Sequence, residues 1–141
     1  MRTWVLLGAC AVVAAAAQTP QELARSILAE LISIDTTDSG GDNTKAAEAV
    51  ARRLVGAGFP AEDVQVVTPA PKKGNLVARL RGGGSAKPVL FLAHLDVVEA
   101  LRGDWTMDPF TLTEKDGYFY GRGTQDIKGD AALAILDTHA A

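Results

Sequence analysis

The chain has 141 residues, a formal net charge of −3 and a pI of 5.3, with 48% apolar and 22% charged residues. That balance excludes an unfolded polyelectrolyte, which is poorer in apolar residues and richer in charge, and an electrostatic nucleic-acid binder, which needs a basic surface. The length allows one domain, at roughly 100–200 residues each.

Residues 1–17 stand apart. Arg2 precedes an uncharged apolar run that ends in Ala15-Ala16-Ala17, before Gln18. This is the layout of an export signal with a small-residue cleavage site. A membrane anchor is the competing reading, but the run from Thr3 to Ala17 is shorter than the ~20 residues that span a bilayer. Leu7-Gly8-Ala9-Cys10 offers a third reading, a lipoprotein box, although few apolar residues precede Cys10. Cleavage after Ala17 predicts a periplasmic or secreted chain of residues 18–141, without a stable membrane span. Cys10 is the single cysteine, so the cleaved chain would hold no disulfide, thiolate ligand or thiol nucleophile.

Thr19-Pro20-Gln21-Glu22 reads as a helix start, with a Thr cap, Pro in the first turn and Glu three residues after the cap. Leu23, Ile27, Leu31 and Ile34 then share one helical face. Asp35 to Asp42 is a polar loop. A second helix is expected from about Thr44 to Ala57, with Ala47, Val50, Ala51 and Leu54 as its stripe, ended by Gly58 and Pro60. Val64–Thr68 and the alternating Leu76, Ala78 and Leu80 predict strands, and Gly82-Gly83-Gly84-Ser85 a tight connection or short flexible loop, with a hairpin turn as its plainer reading. Val89–Ala93 is a continuous apolar run, as in a strand covered on both faces. Trp105 to Phe110 reads as a loop with buried aromatic anchors, Tyr118–Tyr120 as a short strand, and a last helix should start near Gly129 or Asp130. Helices and strands in this order indicate a layered α/β domain.

Two motifs carry chemistry. His94-Leu95-Asp96 closes the apolar run. Residues i and i+2 of a strand share a side, so Asp96 could orient the His94 imidazole and leave its other nitrogen for a metal. A hydrogen-bonded surface pair is the plainer reading. The second motif is Gly121-Arg122-Gly123-Thr124-Gln125-Asp126-Ile127-Lys128-Gly129. A dinucleotide fingerprint needs Gly where Asp126 stands, and a carboxylate there repels phosphate. What remains is a tight turn that delivers Asp126 just before a helix, either as a ligand or as an ordinary helix cap.

The segments FLAHLDVV and YGRGTQDIKG, with His94 and Asp126 32 residues apart, closely resemble two signatures of the dizinc metallopeptidase family of acetylornithine deacetylase, succinyl-diaminopimelate desuccinylase, aminoacylase and glutamate carboxypeptidase. The intervening DWTMDPFTLTEKDGYFYGRG is similar to the carboxypeptidase-like branch. The resemblance runs from about Pro20 to Ala141. It implies a zinc-exopeptidase-like mixed sheet flanked by helices. It also implies a hydrolase that uses two zinc ions (Co2+ or Mn2+ in their place) to cleave a small peptide or N-acyl amino acid with metal-activated water. His94 would ligate one ion, Asp126 would bridge both, and Asp96 would be the catalytic acid that orients His94. A cis peptide at Asp126–Ile127 is implied as well. Arg122 and Lys128 receive no metal-binding role, and Asp130 stands where Gly is expected. The family's later Glu-Glu pair and remaining ligands have no counterpart here, since Glu99, Glu114 and His139 lie at other places. The expectation is therefore the N-terminal part of a longer catalytic domain, inactive alone. The alternative is a non-catalytic secreted α/β binding protein that kept the scaffold.

Overall fold

A computed structural model describes residues 18–139, so the expectations for residues 1–17 lie outside the described part. Helix α1 spans Pro20–Ser33. Thr19 caps it: its hydroxyl accepts from the Glu22 amide, and the Glu22 carboxylate accepts from the Thr19 amide at 2.8 Å. This reciprocal pair satisfies two otherwise orphaned donors. Helix α2 spans Asn43–Gly56 and is capped by Asp42, which accepts from the Thr44 amide. Helix α3 spans Lys128–His139, starting slightly earlier than its sequence suggests.

The three helices share one core. Ile27, Leu28, Leu31 and Ile32 of α1 meet Val50 and Leu54 of α2, Phe59, and Ala131, Ala132 and Ile135 of α3. Burying each large aliphatic chain here contributes about 1.5–3 kcal/mol. The small alanines on α3 let it lie close along α1.

Strands β1 (Val64–Val67) and β2 (Asn75–Ala78) pair antiparallel, with Val64 opposite Ala78. Val64 and Leu76 pack against the helical core. Strands β3 (Thr113–Lys115) and β4 (Tyr118–Tyr120) form a hairpin. Its turn is Asp116-Gly117, with positive φ at both residues, as a two-residue type I′ connection requires. Asp-Gly is itself a hairpin signal, so β3 was readable where only β4 was expected.

Four strand-level expectations need correction. The α/β class holds, but among the described residues the strands form two antiparallel pairs in place of one mixed sheet. Val89–Ala93 is not a strand: no described strand pairs with it, and Val89, Leu90, Phe91 and Leu92 are 76–83% exposed. An apolar run becomes a strand only where neighbours accept its backbone hydrogen bonds. For the same reason β2 stops at Ala78, and Gly82–Ser85 does not turn a hairpin. In the Trp105–Phe110 loop the buried anchor is Pro109, while Trp105 and Phe110 are half-buried.

Candidate metal centre

The segment after α1 is the floor of the site. Buried Thr36 donates its hydroxyl to the Leu95 carbonyl at 2.7 Å, and the Val97 amide donates to the Thr36 carbonyl at 3.2 Å. Val97 is buried and Leu95 half-buried, while His94 and Asp96 are exposed. The period of two along extended backbone thus puts both polar side chains on the open side, as the spacing predicted.

The glycine-rich loop meets this segment and α1. The Arg122 amide donates to the Pro109 carbonyl at 2.7 Å, and the Arg122 guanidinium lies 5.0 Å from the Trp105 ring centre, within cation–π range. Gly121 and Gly123 allow close approach. A Cβ at Gly121 would stand 2.9 Å from Ile32 Cγ2, and Gly123, at φ +93°, would meet Val97 Cγ1 at 2.9 Å. The loop therefore presses its backbone against α1 and the 95–97 segment, and Asp126 projects over it. The Asp126–Ile127 peptide is cis, as the resemblance implied.

The two motifs converge. His94 Nε2 lies 3.1 Å from Asp126 Oδ1. On the other side of the ring, Nδ1 stands 3.1 Å from the Asp96 carbonyl and 3.4 Å from its carboxylate. If Nδ1 carries the ring proton and donates it to Asp96, Nε2 presents a lone pair to a carboxylate oxygen. Two acceptors at that distance need a cation between them, either a second proton or a metal ion. Two ligands of one tetrahedral zinc, with bonds of about 2.0–2.2 Å, stand a little over 3 Å apart, so the pair fits that role. Asp126 is 80% exposed at its side chain, leaving its second oxygen open. Among the described residues no group of three or more His, Cys, Asp and Glu side chains is placed to hold an ion. Glu99 is spent on Ser39, accepting from its amide and hydroxyl, and Glu114 pairs with Arg25. A cavity of about 260 Å³ opens beside Asp96, lined also by Thr36, Asp38, Asn43, Lys73 and Val97.

Lys128 is the residue the sequence reading left without a part. Its side chain is fully buried, and its ammonium donates to the carbonyls of Leu31 at 2.7 Å and Ile34 at 3.0 Å. Burial pushes its amine down to about 8, opposed by the nearby Asp35 carboxylate. No local signal marks such a lysine, because its partners lie more than 90 residues away.

The sequence profile of the peptidase family M20/M25/M40 matches residues 90–138, the span that holds both motifs. Acetylornithine deacetylase of Proteus mirabilis is 41% identical over 116 residues, covering 81% of this chain and 29% of its own. A probable succinyl-diaminopimelate desuccinylase of Staphylococcus epidermidis is 48% identical over 76 residues, 52% of this chain and 18% of its own. The crystal structure of human carnosine dipeptidase 1 superposes with a TM-score of 0.70 at 28% identity, over 86% of this chain and 29% of that one. The chain is similar to this peptidase family over the span that holds both motifs. It spans under a third of the length of these M20/M25/M40 relatives. Among its described residues no helix is long and apolar enough to cross a membrane.

Proposed function

We propose that residues 18–141 form the N-terminal part of the catalytic domain of a zinc-dependent exopeptidase or amidohydrolase that cleaves a small peptide or N-acyl amino acid. The names of the relatives, a deacetylase, a desuccinylase and a dipeptidase, support that substrate class. The observation that carries the reading is the 3.1 Å approach of His94 Nε2 to Asp126 Oδ1, with Asp96 against the other ring nitrogen.

In this reading His94 would be a ligand of one ion and Asp126 a ligand shared by both. Asp96 accepts the Nδ1 proton, which fixes the tautomer and holds the ring in line. Zinc, when bound, supplies Lewis acidity toward the scissile carbonyl and brings the pKa of water down to about 7. Co2+ and Mn2+ suit the same oxygen and imidazole donors. Since the described residues offer only a pair of converging donors, the 141-residue chain alone binds zinc weakly and turns over no substrate. Residues 1–17 direct export to the periplasm or beyond, on the strength of their composition.

Calorimetric zinc titration of the wild type, His94→Gln and Asp126→Asn tests the reading. The wild type should bind, and each variant should lose at least about tenfold in affinity. Equal binding by all three proteins would overturn it.

A further inference from the structure

His94 and Asp126 are 32 residues apart, sit on segments without a common sheet, and still meet at 3.1 Å. Something must register one segment against the other. The contacts of both segments lead to one short stretch, residues 31–36, where α1 ends. Thr36, 1% exposed, holds the His94 side through the Leu95 carbonyl and the Val97 amide. Lys128, 0% exposed, holds the Asp126 side through the carbonyls of Leu31 and Ile34. These carbonyls belong to the last turn of α1 and to its cap residue, where the helix end carries partial negative charge. The Leu31 carbonyl also takes the Ile34 amide at 3.4 Å, and the buried ammonium gives both carbonyls a charged donor.

We propose that residues 31–36, the last turn of α1 and the segment that leaves it, are a shared platform for the two halves of the site, and that Lys128 is the positioning residue that keeps Asp126 opposite His94. The proposal deepens the zinc reading and rests on it only for the consequence in metal affinity. Only Ile127 separates Lys128 from Asp126, and Leu95 adjoins His94, so the chain has little slack between each clamp and its ligand. Ligand constellations work within about 0.5 Å of their productive geometry. Gly123 takes part by leaving room for the lysine stem: a Cβ there would meet Lys128 Cδ at 3.0 Å.

NMR on the isotope-labelled chain separates this role from plain stability. Leu28→Ala, which empties a buried position of α1, serves as the control for lost stability alone. In zinc-free wild type, NOEs should connect the His94 ring protons with the Asp126 methylene. Lys128→Met, folded by circular dichroism, should lose these NOEs and bind zinc about 10–100-fold more weakly. Leu28→Ala should melt earlier and keep both. Retention of the NOEs and of the affinity in Lys128→Met overturns the proposal. If that variant does not fold, Thr36→Val reads the other clamp by the same NOEs, and their retention overturns the shared platform. In the wild type itself, zinc should shift the Lys128 ζ-nitrogen signal with the midpoint seen at His94, and a silent Lys128 beside a saturating His94 counts against it. A wild type that ignores zinc defeats the metal reading, while the NOE comparison still decides the positioning role.

Discussion

The helical part of the chain and the stretch from 79 to 112 are both supplied with large apolar residues, and they dispose of them in opposite ways. In α1, Ile27, Leu31 and Ile32 are 0–1% exposed. In the stretch, Leu80, Val89, Leu90, Phe91, Leu92 and Leu101 are each more than half exposed. The difference shows that apolar content marks what could be buried, whereas burial needs a partner surface. Helix α1 finds its partners within the described chain, in α2 and α3. The candidate centre lies on the seam, with His94 on the open stretch and Asp126 on the loop that leads into α3.

The sharpest way to break this comparison is to truncate one residue from each side. Leu31→Ala should cost about 2–5 kcal/mol, because it empties a packed site. Leu90→Ser should stay within about 0.5 kcal/mol, as exposed positions do. Urea midpoints measure both, and similar losses would show that the stretch is packed in solution. Gly123→Ala comes next, at about 1–3 kcal/mol for a side chain forced to φ +93°. Its loss should be accompanied by weaker zinc binding, since the seam itself is pried open. Thr19→Ala removes the α1 cap and should cost about 1 kcal/mol, with zinc affinity unchanged because the cap lies at the far end of the helix.

The smallest effect concerns pH. Hydrogen bonds from Arg81 hold the Asp63 carboxyl below its ordinary value. A depressed carboxylate contributes stability that is full above the unfolded pKa of about 3.9 and is lost as pH falls through the folded value. The gap between wild type and Asp63→Asn in urea midpoint should therefore be wider at pH 7 than at pH 3. It should be modest, because the Arg81 side chain is 74% exposed and its charge is solvent-screened. A gap that stays constant across that range would contradict the assignment.

These contrasts also mark what the sequence could say. Thr19, Pro20 and Glu22 announce α1 because capping is a local matter of a few neighbouring atoms. The Leu and Ala periodicities of α1 and α2 are local too, and both helices are found within about a residue of their expected bounds. Val89–Ala93 misleads because pairing is a property of two segments and only one was being read. His94, Asp96 and Asp126 were legible through motif chemistry and resemblance, and the structure brings them together. Lys128 was not, since a lone lysine reads as a surface cation, and its acceptors are main-chain carbonyls that carry no sequence signature.

The burial of Lys128 gives the molecule a built-in clock. The chain has six lysines, and Lys45, Lys72, Lys73, Lys87 and Lys115 are exposed to a water-borne acylating reagent while Lys128 is not. Five amines should be modified promptly in the folded chain, and the sixth only when the loop before α3 lifts from the end of α1. The rate at which Lys128 reacts would then count those openings, at one residue, against the global unfolding of the same molecule.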